Sequence, residues 1–449
     1  MQKLESTRPI HVVGAGLAGS ECALQLASLG HDVILHEMRP QKSTPAHRSE
    51  NFAELVCSNS FGSLGETSAP GQLKWEAEKL ESFILKAAKE CAVPAGQALG
   101  IDREKFSALV TSMIESHPKI TVRREAVSDL NAIPRPAVIA TGPLTDPELA
   151  DSMAKHFEGD FLYFFDAIAP IIDADSINMD ICWEADRYDK GTPDYINCPL
   201  NKEQYQNLIQ EITNARKIEP KDFEKTAFFE GCMPIETIVD RGPETLRFGP
   251  MKPVGLKNPR TGREEWAIVQ LRAENRDRTA FNMVGFQTRM AYGEQTRVFK
   301  MIPGLEQAEF LKLGSIHRNL FINTPKLLNQ DLSSRKDPQL FFAGQITGVE
   351  GYFESTCMGL LVARFIHQRE TERSFSPPPR FSAMGSLLEA ITDVERAEHF
   401  QPTNINFGLF PPPPEAAAVK KIKDKALKKS LQLGHAKTAF EAWDESKLL

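Results

Sequence analysis

The sequence predicts an α/β protein: a Rossmann-type domain in two discontinuous parts, with a mainly β inserted α+β domain between them. Three observations carry this. An apolar strand over residues 9–13 runs straight into Gly14-Ala15-Gly16-Leu17-Ala18-Gly19 and then a helical run over 20–29. Between about residues 166 and 314 the texture changes to short alternating or apolar runs punctuated by Gly and Pro. The α/β texture then resumes at Gln339-Leu340-Phe341-Phe342-Ala343-Gly344, a second strand turning on glycine, with Gln345-Ile346-Thr347 leading towards a helix over 352–367. The expected parts are residues 1–165, 166–314 and 315–449, the last ending in a basic tail.

Each early element has a physical reading. Gly14 allows the tight turn out of the strand, Gly16 lets backbone N–H groups approach a pyrophosphate, and Gly19 lets the helix pack against the sheet. The positive N-terminus of that helix faces the phosphates. A second strand over 31–35 leads to Glu37, 23 residues after Gly14, where a carboxylate can accept both ribose hydroxyls. Strand, helix and acid in register point to a dinucleotide cofactor; the motif alone does not separate FAD from NAD.

Further along, residues 71–91 have the periodicity of one amphipathic helix. Residues 102–116 read as another, with Asp102 as N-cap. Strands follow at 120–123 and 137–140, the latter closing on Ala140-Thr141-Gly142, where the chain is expected to pass close to bound nucleotide. In the insertion, strand-like runs at 226–229, 267–271 and 282–287 accompany a helix over 202–215. Proline clusters at 377–379 and 411–414 are stiff linkers flanking a helix over 386–398. No second GxGxxG occurs, so a separate NAD(P) domain is not expected.

Composition narrows the class. The chain has 449 residues, 41% hydrophobic and 25% charged, with a net charge of −7, so any polyanion site must be a local patch. The clusters that offer one are Lys252, Lys257, Arg260 and Arg263 in the insertion, and the lysine-rich tail beginning Lys420, Lys421. No apolar run reaches the ~18 residues of a membrane span, and no signal-peptide core precedes the first strand. Seven cysteines without a CxxC pair argue against a disulfide framework or a zinc site. A cytoplasmic protein with no bound metal is expected.

Several blocks together resemble the bacterial folate- and FAD-dependent tRNA (uracil-5-)-methyltransferases. They are the glycine motif, Glu37-Met38-Arg39-Pro40, and the run Phe52-Ala53-Glu54-Leu55-Val56-Cys57-Ser58-Asn59-Ser60. Within the insertion they are Glu230-Gly231-Cys232-Met233-Pro234, Gly249-Pro250-Met251-Lys252-Pro253-Val254-Gly255-Leu256 and Val284-Gly285-Phe286-Gln287-Thr288. Phe342 to Tyr352 and Asn404 to Phe410 complete the set. Phe353, Thr356, Cys357, Arg278 and Phe281 depart from the expected pattern in ways that concern packing.

The resemblance implies FAD as cofactor, 5,10-methylenetetrahydrofolate as one-carbon donor, NAD(P)H as reductant and the tRNA T loop as substrate, with no obligate protein partner. It implies that Cys232 is the nucleophile that adds to uracil carbon 6 and Cys57 a second functional thiol, base or assisting acid. Arg39, Gly142, Gly344, Gln345, Ile346 and Thr347 join the glycine loop and Glu37 as expected cofactor residues. Two other readings compete. The related flavoprotein that modifies the wobble uridine is longer and lacks both cysteine blocks. A non-catalytic FAD-containing tRNA-binding protein would leave the thiols without a purpose.

Overall fold

The computed structural model describes residues 8–44, 46–159, 162–167, 169–189, 192–218, 233–275, 277–314, 316–412 and 425–445. At its centre lies a five-stranded parallel sheet in the order Leu340–Phe342, Ala137–Ile139, Ile10–Val13, Val33–His36, Ile120–Arg123. The near-continuous apolar runs are explained by burial: Val12, Leu35, Val138, Ile139 and Phe342 have no exposed surface. Helix Leu17–Ser28 packs on this sheet beside the late helix Tyr352–Glu370. The late strand Leu340–Phe342 therefore completes the sheet at its edge, paired with Ala137–Ile139.

A ribbon of two antiparallel strands, Leu162–Ala167 and Ile316–Phe321, stands on either side of the inserted segment in the sequence. Between them a six-stranded antiparallel sheet runs in the order Trp183–Glu184, Tyr195–Leu200, Ala267–Ala273, Ala280–Met283, Ile171–Asp173, Phe310–Lys312. Strand Ala267–Ala273 shows the period-2 logic directly. Ala267, Val269, Leu271 and Ala273 enter the core of this part, with Phe281, Phe286 and Phe299, while Gln270 and Arg272 occupy the other face. Helix Lys202–Asn214 covers the core side and opens on a reciprocal cap between Asn201 and Gln204.

Three expectations are corrected. The strand expected over 282–287 is Ala280–Met283, the chain turning at Gly285 with φ +74°. Residues 71–91 form two helices, Ala69–Lys79 and Phe83–Glu90, broken at Glu81, whose φ is +58°. The cause lies 60 residues upstream. Buried Glu21 accepts from Ser82 Oγ at 3.0 Å and from the N–H groups of Phe83 at 3.2 Å and Ile84 at 2.8 Å, so a new helix N-terminus forms there. The helix expected over 386–398 starts earlier, at Ala383–Thr392, and continues as a 3₁₀ segment Val394–His399. Glu76, also fully buried, accepts from the N–H groups of Ala383 at 2.7 Å and Met384 at 2.8 Å and so fixes that start. The terminal helix Lys425–Glu445 docks through Phe440 against Trp75 and through Trp443, whose indole N–H donates to Ser376 Oγ at 3.1 Å.

Glu21→Ala is expected to lower the unfolding free energy by about 2–4 kcal/mol, because it strands buried donors at a helix start; urea denaturation checks this. Burial pushes the Glu76 carboxyl up to about 7, against the hydrogen bonds it accepts. Its folded value lies above the unfolded one, so its contribution to stability is full below pH ~4.5 and is lost as pH rises through about 7. Thermal melts across pH 5–8 should therefore fall less steeply for Glu76→Gln than for the unaltered protein.

Candidate functional site

The glycine loop is built on backbone-to-backbone contact. Gly14 has φ +97°, and a Cβ there would lie 2.7 Å from the Ala140 carbonyl oxygen; a Cβ on Gly19 would lie 1.8 Å from the Gly14 oxygen. Gly16 faces open space and heads helix Leu17–Ser28 with no side-chain cap. Its first N–H groups remain available to an anion. Leu17, Ala18 and Ala15 are buried behind this loop.

A cleft opens in front of it, lined by Gly14, Gly16, Glu37, Arg39, Ala140 and Thr141 among others. Gly142, at φ +68°, follows at the start of a 3₁₀ turn. Glu37 is more committed than its spacing suggests. One carboxylate oxygen accepts from the Ala15 N–H at 3.0 Å, the other from Arg39 Nε at 2.8 Å and the Arg39 N–H at 3.1 Å. Burial would raise its pKa, yet these bonds hold it below the usual carboxylate range. Arg39 also reaches Glu54 at 3.1 Å. Glu37 thus shapes the glycine loop as well as facing the cleft. The open helix start and the paired acid fit the pyrophosphate and ribose of a dinucleotide such as FAD.

The late glycine unit meets the early one edge to edge. Gly344, at φ +83°, lies where a Cβ would come 2.7 Å from Ala18 Cβ, and Gly359 where one would come 2.1 Å from the Ala18 oxygen. Gln345, Ile346 and Thr347 form the 3₁₀ turn between them. Gln345 Nε2 donates to Glu350 at 3.1 Å, and the Ile346 carbonyl accepts from the Ile322 N–H at 2.9 Å.

Tyr352 begins the late helix and reaches Cys57. Its hydroxyl oxygen accepts the Cys57 N–H at 2.6 Å and the Ser58 N–H at 3.3 Å. Arg103 donates to the carbonyls of Leu55 and Cys57, the latter at 3.2 Å, and pairs with Glu274 at 2.5 Å. Lys312 donates to the Val56 carbonyl at 3.2 Å. Burial pushes the Lys312 ammonium down to about 8, with Arg103 and Arg48 adding to the shift and Cys57 and Glu274 opposing it. Asn59 ties the same run to the inserted sheet, donating to the Ala273 carbonyl at 2.9 Å and accepting from Arg272 Nε at 3.1 Å. Half-buried Cys57 is thus held between the late helix and the inserted sheet, whereas Cys22, Cys91, Cys182, Cys198 and Cys357 are buried.

Sequence reasoning quoted Tyr352 only as the end of a motif and missed Arg103, Glu274 and Lys312. Nothing in their local sequence marks them, because each is defined by a partner dozens to hundreds of residues away. Cys232, Lys420 and Lys421 lie outside the described residues. Lys252, Lys257 and Arg263 are exposed. Arg260, expected to meet a polyanion, is exposed and its guanidinium also donates to the carbonyls of Met179 and Ile181 at 2.8 Å each and of Cys182 at 3.1 Å. No helix among the described residues is long and apolar enough to cross a membrane.

Comparison with known proteins adds the family. A family model described as Glucose inhibited division protein A matches residues 9–374. Among solved structures, Aquifex aeolicus GidA in its form II crystal is similar in fold, with a TM-score of 0.66 at 14% identity, covering 97% of this chain and 73% of that one. A protein of Bdellovibrio bacteriovorus named methylenetetrahydrofolate--tRNA-(uracil-5-)-methyltransferase TrmFO is 69% identical over 444 residues, 99% of this chain and 100% of its own. A protein of the same name from Natranaerobius thermophilus is 50% identical over 97% of this chain and 99% of its own. The cofactor cleft and the anchored cysteine thus stand in a chain that belongs to the family of methylenetetrahydrofolate--tRNA-(uracil-5-)-methyltransferases.

Proposed function

We propose that the chain transfers a one-carbon unit from 5,10-methylenetetrahydrofolate to carbon 5 of the T-loop uridine of tRNA, giving ribothymidine, with FAD reduced by NAD(P)H. The reading is supported above all by the Cys57 segment, anchored on one side by Tyr352 at the head of the late helix and on the other by the inserted sheet. Such an anchorage suits a thiol that works where cofactor and substrate meet.

Carbon 5 of uracil is a poor nucleophile. Addition of the Cys232 thiolate to carbon 6 makes the ring an enolate, and carbon 5 then attacks the one-carbon unit. Removal of the carbon 5 proton expels the folate nitrogen and leaves an exocyclic methylene; reduced FAD would supply, when bound, the hydride that converts this methylene into a methyl group as the Cys232–carbon 6 bond breaks. Gly14, Gly16 and Glu37, with the open start of helix Leu17–Ser28, would hold its phosphates and ribose, and Gly344 to Thr347 would approach it from the later part of the chain. Cys57 serves as the second thiol, the base or assisting acid that moves a proton beside the reacting ring. Tyr352, Arg103 and Lys312 fix three consecutive peptides, so that thiol has little freedom to wander.

Incubation of tRNA lacking ribothymidine with the protein, methylenetetrahydrofolate and NADPH is expected to yield ribothymidine, read by nucleoside mass spectrometry. Cys232→Ala should abolish the product, and Cys57→Ala should slow it by about 10²–10⁴-fold, both with unchanged flavin content. Full activity in Cys232→Ala removes that residue from the nucleophile role; no product from any bacterial tRNA rejects the reaction itself.

A further inference from the structure

One loop of the inserted part, residues 244–257, is used by neither the cofactor cleft nor the Cys57 anchorage. It is held stiffly. The Met251 N–H donates to the Leu246 carbonyl at 2.8 Å, the Ile268 N–H to the Met251 carbonyl at 3.1 Å, and the Leu256 N–H to the Pro253 carbonyl at 3.1 Å. Pro250 fills the space beside Gly285, where a Cβ would fall 2.8 Å from it. Despite this rigidity the loop offers apolar groups to solvent: Phe248 is 79% and Val254 41% exposed.

Aromatic and cationic groups alternate around it. At its base the Arg247 guanidinium lies 3.7 Å from the Trp266 ring centroid, and Lys202 lies 5.2 Å from the same ring. On its other side stands Tyr188, 57% exposed, with φ +62°. A left-handed backbone costs a tyrosine about 1–2 kcal/mol, so the surroundings must impose it. The Tyr188 N–H donates to the Gly255 carbonyl at 2.8 Å, and its ring sits 2.8 Å from where a Gly255 Cβ would be. The neighbouring Arg187 donates to the Val254 carbonyl at 2.9 Å and to Gln270 at 2.8 Å. Lys252 and Lys257 are exposed on the loop. Of the acids nearby, Glu244 pairs with Arg247 at 2.8 Å, Glu264 accepts the Gly255 N–H at 3.0 Å and Asp186 accepts the Arg187 N–H at 2.8 Å.

The same strand links this loop to the thiol. Arg187 bonds Gln270, Arg272 bonds Asn59, and Glu274 pairs with Arg103, which holds the Cys57 carbonyl. Gln270 and Glu274 are four residues apart, about 13 Å along an extended strand, a span of a few nucleotides at most. Lysine is depleted at protein–protein interfaces, whereas exposed rings interleaved with lysines suit unpaired bases and their phosphates.

We infer that Phe248 and Tyr188 are stacking platforms for unpaired bases of an RNA loop, with Lys252 and Lys257 on its phosphates. This rests on the tRNA reading given above. Binding of a fluorescein-labelled, unmodified tRNA T-arm hairpin to the FAD-loaded full chain, followed by anisotropy, tests it. Phe248→Ala and Tyr188→Leu should each weaken binding about tenfold or more, Tyr188→Phe should bind as the unaltered protein does, and Lys252→Ala should lower the salt slope by about one. Flavin content and NADPH-dependent flavin reduction should not change in any of them. Unaltered affinity in both Phe248→Ala and Tyr188→Leu overturns the inference while leaving the tRNA reading intact. Failure of the unaltered protein to bind the hairpin or whole tRNA overturns both.

Discussion

The cofactor cleft and the Cys57 anchorage depend on the contact between two glycine units far apart in the chain. Gly14 and Gly19 bring helix Leu17–Ser28 onto the sheet, and Gly344 and Gly359 bring the late strand and helix onto Ala18. At these four positions a side chain would collide with backbone or with a methyl group, so the two units approach at backbone distance. That closeness places Tyr352 at the head of the late helix within reach of Cys57.

Buried carboxylates do a second kind of organising. Glu21 and Glu76 each sit in the apolar core and each accept from the first N–H groups of a helix contributed by another part of the chain. Burial raises both pKa values, the expected sign for a carboxyl removed from water. Glu37 is also buried but moves the other way, because Arg39 supplies a full positive charge. The same residue type, buried in all three places, is thus a helix anchor in two and an ionised cleft residue in the third.

One polar strand face of the inserted sheet reaches the cofactor part, alongside Lys312 and Tyr195 from two other strands. Core residues alternate with Gln270 and Arg272 along Ala267–Ala273, and Glu274 continues the row. This row grips the Cys57 segment at one end and Arg187 at the other, so the thiol and the aromatic loop share a single rigid element. Arg260 is an instructive contrast. It is exposed and basic, yet three of its N–H donors go to backbone carbonyls, a commitment that charge alone could not reveal.

The parallel sheet's strands, the glycine loop, the acid at Glu37 and the helix capped by Asp102 are legible in the residues alone, because each is set by neighbours within one turn or one βαβ unit. Cys57 is singled out only through the family resemblance that a run of nine residues carries. Tertiary structure alone decided where residues 71–91 break, since the broken helix answers to Glu21, and which groups hold Cys57, since Arg103, Glu274, Lys312 and Tyr352 come from four separate elements. It also decided that Tyr188 takes a strained backbone beside Gly255. Short-range patterns record propensity and periodicity, whereas a buried charge or a strained turn is stable only because of a partner that the chain brings from far away.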